Sequence, residues 1–295
     1  MKLGRILIAG AMAAGLFTAR AQAEPDWNAV GQALGKSGAM QPGGIYKVAL
    51  PRTDLKVTLD GVPLKAGFAL GSWVAFEPMG NEAMVMGDLV LTHSEVNPVM
   101  SRLEQAGFEV TALHNHLLRS APATMYMHVE GHGDPVKLAA ALHAGLALSH
   151  TPFTAPPAAP AAAAPGLDVA ALDQAIGAKG KLNGGVLQYS LPRREPIRSG
   201  GMDVPPAMGT ATAINFQPLG GPRAAITGDF VLMAREVNPV IRALRSHGIE
   251  VTAVHNHMLE DEPRLFFMHF WGVGPAGSLA AGLAAALAET NVQRG

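Results

Sequence analysis

Residues 87–116 recur as residues 228–257 at a constant offset of 141, with eighteen of thirty positions identical. The shared text is Gly87-Asp88, Val90-Leu91, Glu95-Val96-Asn97-Pro98-Val99, Leu103, Gly107, Glu109-Val110-Thr111-Ala112 and His114-Asn115-His116, and its second copy ends in His255-Asn256-His257. The same offset pairs Met127-His128 with Met268-His269 and Leu50-Pro51-Arg52 with Leu191-Pro192-Arg193. A unit of about 120 residues is too long for a solenoid repeat and the right size for a tandem domain. Residues 151–166 hold five Pro and seven Ala, a composition that reads as a semi-rigid linker. The expected division is therefore a first repeat domain at 24–150, a linker at 151–166 and a second repeat domain at 167–295. Each half is expected to fold alone, the alternative being two repeats that pack face to face and share a core.

Lys2 and Arg5 precede an apolar run at 6–17 and then Ala21-Gln22-Ala23, the pattern of a secretory signal peptide spanning residues 1–23. The run holds about a dozen residues, short of the roughly 20 that cross a bilayer, and no later run is longer. A periplasmic or secreted location without stable membrane insertion after signal cleavage follows as the expectation. The net charge of −1, with no basic block, removes the counterion-release term of nucleic-acid binding. With no Cys in the chain, thiol catalysis, zinc ribbons and disulfide scaffolds are excluded, and any metal must be held by His, Asp, Glu or Met.

Within a repeat the periodicity predicts a helix at 27–34 and strands at 44–50, 54–59, 68–77 and 83–95. Asn97-Pro98 reads as a helix start, Val99, Leu103 and Ala106 as its buried stripe, and Gly107 as its stop. Strands at 108–118 and 123–131 and a helix at 135–148 complete the unit. Each repeat is thus an α+β domain: a mostly antiparallel sheet with a strand–helix–strand–strand segment and flanking helices.

On a strand, residues two apart share a face, so His114 and His116 project together. His128, on the next strand, faces the same side if the hairpin register is even. Three imidazoles can hold one metal ion at about 2.0–2.1 Å with a fourth position open. Glu95 is expected beside them as a fourth ligand or as a base. The second repeat offers His255, His257, His269 and Glu236 in the same way, so each repeat is expected to carry its own site. The other five His, at 93, 132, 143, 150 and 247, meet no His at the matching position of the other copy. The two copies share the triad and differ at every other His. A shared fold that keeps these His only for internal hydrogen bonding is the structural alternative. Asp88 and Asp229 follow a Gly and read as turn residues, or else as ligands or orienters of a His. Arg52 and Arg193 read as surface or hairpin-closing residues, with contact to an anionic substrate the alternative. A Met-based copper site is disfavoured, because Met125 and Met127 should face away from His128.

These motifs, over residues 27–148 and 168–288, resemble the LppY/LpqO family of exported bacterial proteins, whose domain has no assigned function. The resemblance implies two tandem domains outside the cytoplasm and no established reaction. Some relatives are lipoproteins; this chain lacks the Cys that such anchoring requires. Three functions fit the pattern: metal binding or homeostasis, with Zn2+ the expected divalent ion; a metal-dependent hydrolase of an envelope or extracellular substrate, with Glu95 and Glu236 the candidate catalytic residues; and a metal-free glycan-binding or envelope-interaction module.

Overall fold

The computed structural model describes residues 24–154, 164 and 166–295. The signal-peptide expectation at 1–23 and most of the linker lie outside the described residues. The first repeat contains α1 (Trp27–Leu34), β1 (Ala39–Gln41), β2 (Ile45–Pro51), β3 (Thr58–Leu59), β4 (Val62–Pro63), α2 (Ala66–Ala69), β5 (Gly71–Met79), β6 (Glu82–Thr92), α3 (His93–Glu104), β7 (Glu109–His114), β8 (Thr124–Gly133) and α4 (Pro135–Leu146). The second follows the same plan with α5 (Val169–Ile176), β9 (Lys181–Asn183), β10 (Val186–Pro192), β11 (Arg198–Ser199), β12 (Met202–Asp203), β13 (Ala211–Pro218), β14 (Arg223–Met233), α6 (Ala234–Ser246), β15 (Glu250–His255), β16 (Asp261–Glu262), β17 (Leu265–Pro275) and α7 (Ala276–Ala288). Each repeat is an α+β unit built on a six-stranded antiparallel sheet, in the orders β1-β2-β5-β6-β8-β7 and β9-β10-β13-β14-β17-β15.

The central strands decide how the repeats meet. In β6 the nine residues 83–91 are all buried, so both faces of the strand are covered. Val85, Leu89 and Leu91 pack with Val99 and Leu103 of α3 and Leu138 and Leu142 of α4. Met84 and Met86, on the opposite face, pack with Val231, Met258 and Phe267 of the second repeat, and Val90 joins Trp271. The two sheets therefore stand back to back with helices on the outside. Two of the four hydrophobic clusters draw on both repeats. The expectation of independent halves gives way to its alternative, because the inter-repeat face of each sheet is apolar along its central strands and a half alone would expose it.

Several local expectations change for physical reasons. The strand expected at 54–59 shortens to β3, and β7 ends at His114. Helix α3 begins at His93, five residues before the predicted Pro98, which sits inside it. Its first turn is fixed by Glu95, whose Oε2 accepts from the Thr92 N–H at 2.8 Å. Gly87-Asp88 is not a turn: both residues lie mid-strand in β6, as Gly228-Asp229 does in β14. A Cβ on Gly228 would collide with the Ala213 carbonyl, and one on Gly87 would press on Val74, the Trp73 carbonyl and Val129. Glycine there lets neighbouring strands close up.

The shared cores lead to an expected outcome. Residues 24–154 and 164–295, produced separately, should each lack a cooperative melting transition by circular dichroism and regain one when mixed. A native, cooperative melt of either half alone would show that the inter-repeat clusters are dispensable.

Candidate metal centre

The repeated histidines enter one shared space. In the first repeat β8 pairs with both β6 and β7, setting His128 opposite Asp88 on one side and opposite Ala112 on the other, with His114 opposite Tyr126. His114, His128 and Asp88 thus share the face that looks at the second sheet, and His116 follows just beyond the end of β7. The second repeat repeats this with Asp229 opposite His269 and His255 opposite Phe267.

The six rings stack across the boundary. His114 lies on His255 with centroids 3.5 Å apart, His116 on His269 at 3.6 Å and His128 on His257 at 3.9 Å. The first pair joins equivalent residues, and the other two pairs exchange under the offset of 141, as a pseudo-twofold arrangement requires. Tyr126 covers His116 at 3.3 Å, and Phe267 covers His257 at 3.5 Å. The expectation of a separate site in each repeat is corrected: the structure assembles one cluster from both. The cause is that each triad lies on the face its sheet buries against the other.

Side-chain and backbone bonds lock this seam. Thr111 Oγ1 donates to the His257 carbonyl at 2.5 Å, and Thr252 Oγ1 to the His116 carbonyl at 2.6 Å. Asn115 Nδ2 donates to the Thr252 carbonyl at 3.2 Å, and Asn256 Nδ2 to the Thr111 carbonyl at 2.9 Å. Both Thr sit where the pairing register shifts by one residue, between Val110 and Ala112 and between Val251 and Ala253. The Thr of Val-Thr-Ala and the Asn of His-Asn-His serve this seam, and their signal in the sequence is that both stand among its eighteen identities.

The side chains form a donor set that could hold a metal ion. The Nδ1 atoms of His114, His255 and His269 donate to the Asn115, Asn256 and Gly228 carbonyls at 3.2, 3.1 and 2.8 Å. A carbonyl only accepts, so the proton sits on Nδ1 and Nε2 presents its lone pair inward. His128 Nε2 and His114 Nε2 are 3.0 Å apart. The Nε2 atoms of His116, His255, His257 and His269, with Oδ1 of Asp88 and of Asp229, are buried and make no hydrogen bond among the described residues. Such a group costs about 1–3 kcal/mol when left unpaired. Asp229 Oδ2 lies 3.1 Å from His257 Nε2, and Asp88 carboxylate oxygens lie 4.0 Å from the Nε2 atoms of His116 and His128. Three groups bring their ligand atoms within 4.8 Å of one another: His114, His128, His255 and His257; His114, His116 and His269; and Asp229, His255 and His269.

Glu95 and Glu236 stand elsewhere. Glu95 pairs bidentately with the fully buried Arg52 at 2.8 and 3.1 Å, and Arg52 also donates to the Val90 carbonyl and to Asp54. Glu236 pairs with Arg193 at 2.7 and 2.9 Å in the equivalent way. Each Glu also accepts from a backbone N–H after its repeat's last helix, that of His150 or of Asn291. Although the parallel strands β6 and β7 point as expected, β8 lies between them, and Arg52 turns the Glu away from the His face. Arg52 and Arg193 are therefore buried anchors and not surface residues. Arg52 and the backbone N–H donors outweigh the cost of burial and hold the Glu95 carboxyl down at about 2.

Burial keeps the imidazoles neutral. Desolvation lowers His114 and His255 to about 4 and puts His116, His128, His257 and His269 well below the ordinary value. Asp88 is pushed up to about 8, first by burial and then by Asp229, against an opposing pull from Lys47. Lys47 donates to the Ala207 carbonyl at 2.7 Å, and burial lowers it to about 8.

With this geometry established, known proteins offer a comparison. The family model described as Domain of Unknown Function (DUF1259) matches residues 28–148 and again residues 170–289. The chain belongs to this family, in two tandem copies. No curated protein matches it. Among solved structures, the trimeric bacterial microcompartment shell protein PduB is similar at 11% identity, over 87% of this chain and 95% of that one, with a TM-score of 0.22. EtuB from Clostridium kluyveri is similar at 9% identity, over 85% and 90%, with a TM-score of 0.19. No described helix is long and apolar enough to cross a membrane.

The shifts set a pH profile for the metal-free protein. A His whose folded value is depressed contributes stability that is complete above its unfolded value near ~6.5 and lost as pH falls toward about 4. Asp88, raised to about 8, works oppositely and loses its contribution as pH rises from ~3.9 to about 8. Six His outweigh one Asp in the acid range, so urea midpoints should peak near pH 6.5, fall steeply toward pH 4 and fall gently toward pH 8. A flat midpoint between pH 4 and 6.5 would contradict the buried neutral cluster.

Proposed function

We propose that this chain is a metal-binding protein whose histidines, drawn from both repeats, hold divalent metal at one composite centre, with Zn2+ the expected ion. The observation that carries the reading is the set of four imidazole Nε2 atoms and two Asp oxygens, buried together without a hydrogen-bond partner among the described residues. Neutral imidazoles and carboxylates are the donors that borderline divalent ions take, and tetrahedral zinc at about 2.0–2.1 Å sets donors a little over 3 Å apart. The 3.0 Å spacing of His114 and His128 is close to that edge. Backbone carbonyls that orient His114, His255 and His269 are the usual outer partners of ligating imidazoles.

Burial favours binding or homeostasis over hydrolysis. A hydrolytic centre needs a metal-held water in reach of substrate and a base beside it. Here the rings of both repeats cover one another, and Glu95 and Glu236, the bases the sequence offered, are committed to Arg52 and Arg193. The leader-like start of the chain and the LppY/LpqO resemblance support a place outside the cytoplasm for this centre, where zinc or a similar ion would be held for structure or supply.

The test is direct. Protein purified without a His tag, stripped of metal and titrated calorimetrically at about pH 7.5, should take up Zn2+ and melt at a higher temperature when loaded. Glu95→Gln should bind the same amount of zinc while melting lower, since it weakens only the Arg52 anchor. Failure of the wild type to take up Zn2+, Cu2+, Ni2+ or Mn2+ would overturn the metal reading in favour of hydrogen-bonding histidines.

A further inference from the structure

The pseudo-twofold relation holds at the cluster and breaks at its two flanks. On one flank, Arg119 bridges Glu250 at 3.0 Å and Asp60 at 2.8 Å, and Trp271 Nε1 donates to Asp60 at 3.0 Å. This seals the seam between the repeats with one cation, one indole and two carboxylates. At the offset of 141, Glu109 stands for Glu250, Glu130 for Trp271 and Glu260 for Arg119. The other flank thus replaces the sealing cation and indole by two further carboxylates. A cleft of about 50 Å³ opens there, lined by Glu109, Glu130 and Glu260 together with Thr111 and Ser199.

Two residues of the cleft wall adjoin the cluster. Glu130 lies two residues from His128 on β8, on the same face. Thr111, on its wall, donates to the carbonyl of His257. Glu130 is 9% exposed and, among the described residues, accepts no hydrogen bond; its nearest charge partner is His132 Nε2 at 3.8 Å. It also stands directly opposite Glu109 in the β7–β8 ladder, where like charges repel. A largely buried carboxylate facing two others across a cleft favours a cation resting or passing among them, since a positive charge there relieves their mutual repulsion. The volume exceeds the room one water needs, and three carboxylates with a hydroxyl form a hard, oxygen-rich wall suited to a cation that keeps part of its hydration.

We infer that this acidic cleft is the port through which a divalent cation reaches the histidine cluster, passing Glu130 to the side of His128 and His257. The inference rests on the metal-binding reading, and the experiment separates the two by reading equilibrium and rate independently. Carboxylates at a mouth concentrate cations and raise capture rates by about 10- to 1,000-fold. Zn2+ uptake by the metal-free full-length chain, followed by stopped flow as zinc leaves a chromogenic chelator, gives the rate, and the endpoint gives the amount bound.

Glu260→Arg copies the seal of the opposite flank on an exposed residue. It should slow uptake at least about tenfold and leave the endpoint unchanged. Glu130→Gln should slow uptake as well. Glu104→Arg makes the same charge change on the outer face of α3 and should leave the rate alone. The difference should shrink in 1 M salt, where charges are screened within about 3 Å. Uptake by Glu260→Arg at the wild-type rate, or slowing equal to that of Glu104→Arg, overturns the port while the metal centre stands. No zinc at the wild-type endpoint overturns both.

Discussion

The packing of two sheets back to back governs the rest of this molecule. Because β6 and β14 are buried on both faces, residues that alternate along them go to two different interiors, one under the helices and one between the repeats. Most of the second interior is apolar, with Met84, Val90, Tyr126, Val231 and Phe267 among its members. At its centre are six imidazoles and two carboxylates. Burying that many polar groups is unfavourable unless they are paired, yet the Thr and Asn bonds across the seam satisfy the backbone around the rings and, among the described residues, the Nε2 atoms of His116, His255, His257 and His269 have no hydrogen-bond partner. The fold thus builds a preformed donor set and shields it from water.

The duplication explains why the repeated histidines form one cluster in place of two. A single repeat presents His and Asp on a sheet face that would be solvated without its partner. A second copy, related by a pseudo-twofold, covers that face with its own identical face, so His114 meets its counterpart His255 and the other pairs cross over. The two copies differ at the edges. Arg119 and Trp271 close one flank, and Glu130 and Glu260 at the equivalent places leave the other acidic and open.

Much of this was legible in the sequence. Helix α1 was readable to the residue, and the strand–helix–strand–strand order came from periodicity alone. The six His stood out because both copies kept them and no others. Their meeting was not legible, since periodicity states which residues share a face and not which face a second domain covers. Glu95 misled for a related reason: its repetition marks a need, and the need was to pair a buried Arg52 and to start α3. Asp88 followed a Gly and read as a turn, although Gly87 is there for strand packing. The Arg52–Glu95 and Arg193–Glu236 pairs, both at matching offsets, were the available signal that these Glu serve the fold.

The central claim is that the metal ligands come from both repeats at once. Of the three ligand groups, the two that contain first-repeat histidines also draw on the second repeat, and every group includes His255 or His269. Elemental analysis of zinc per chain in a His255→Gln/His269→Gln variant, checked for native circular dichroism, is the most direct measurement. The composite centre predicts that this variant, with all three histidines of the first repeat intact, loses essentially all its zinc. Retention of half the wild-type zinc would contradict it and return the molecule to two independent sites.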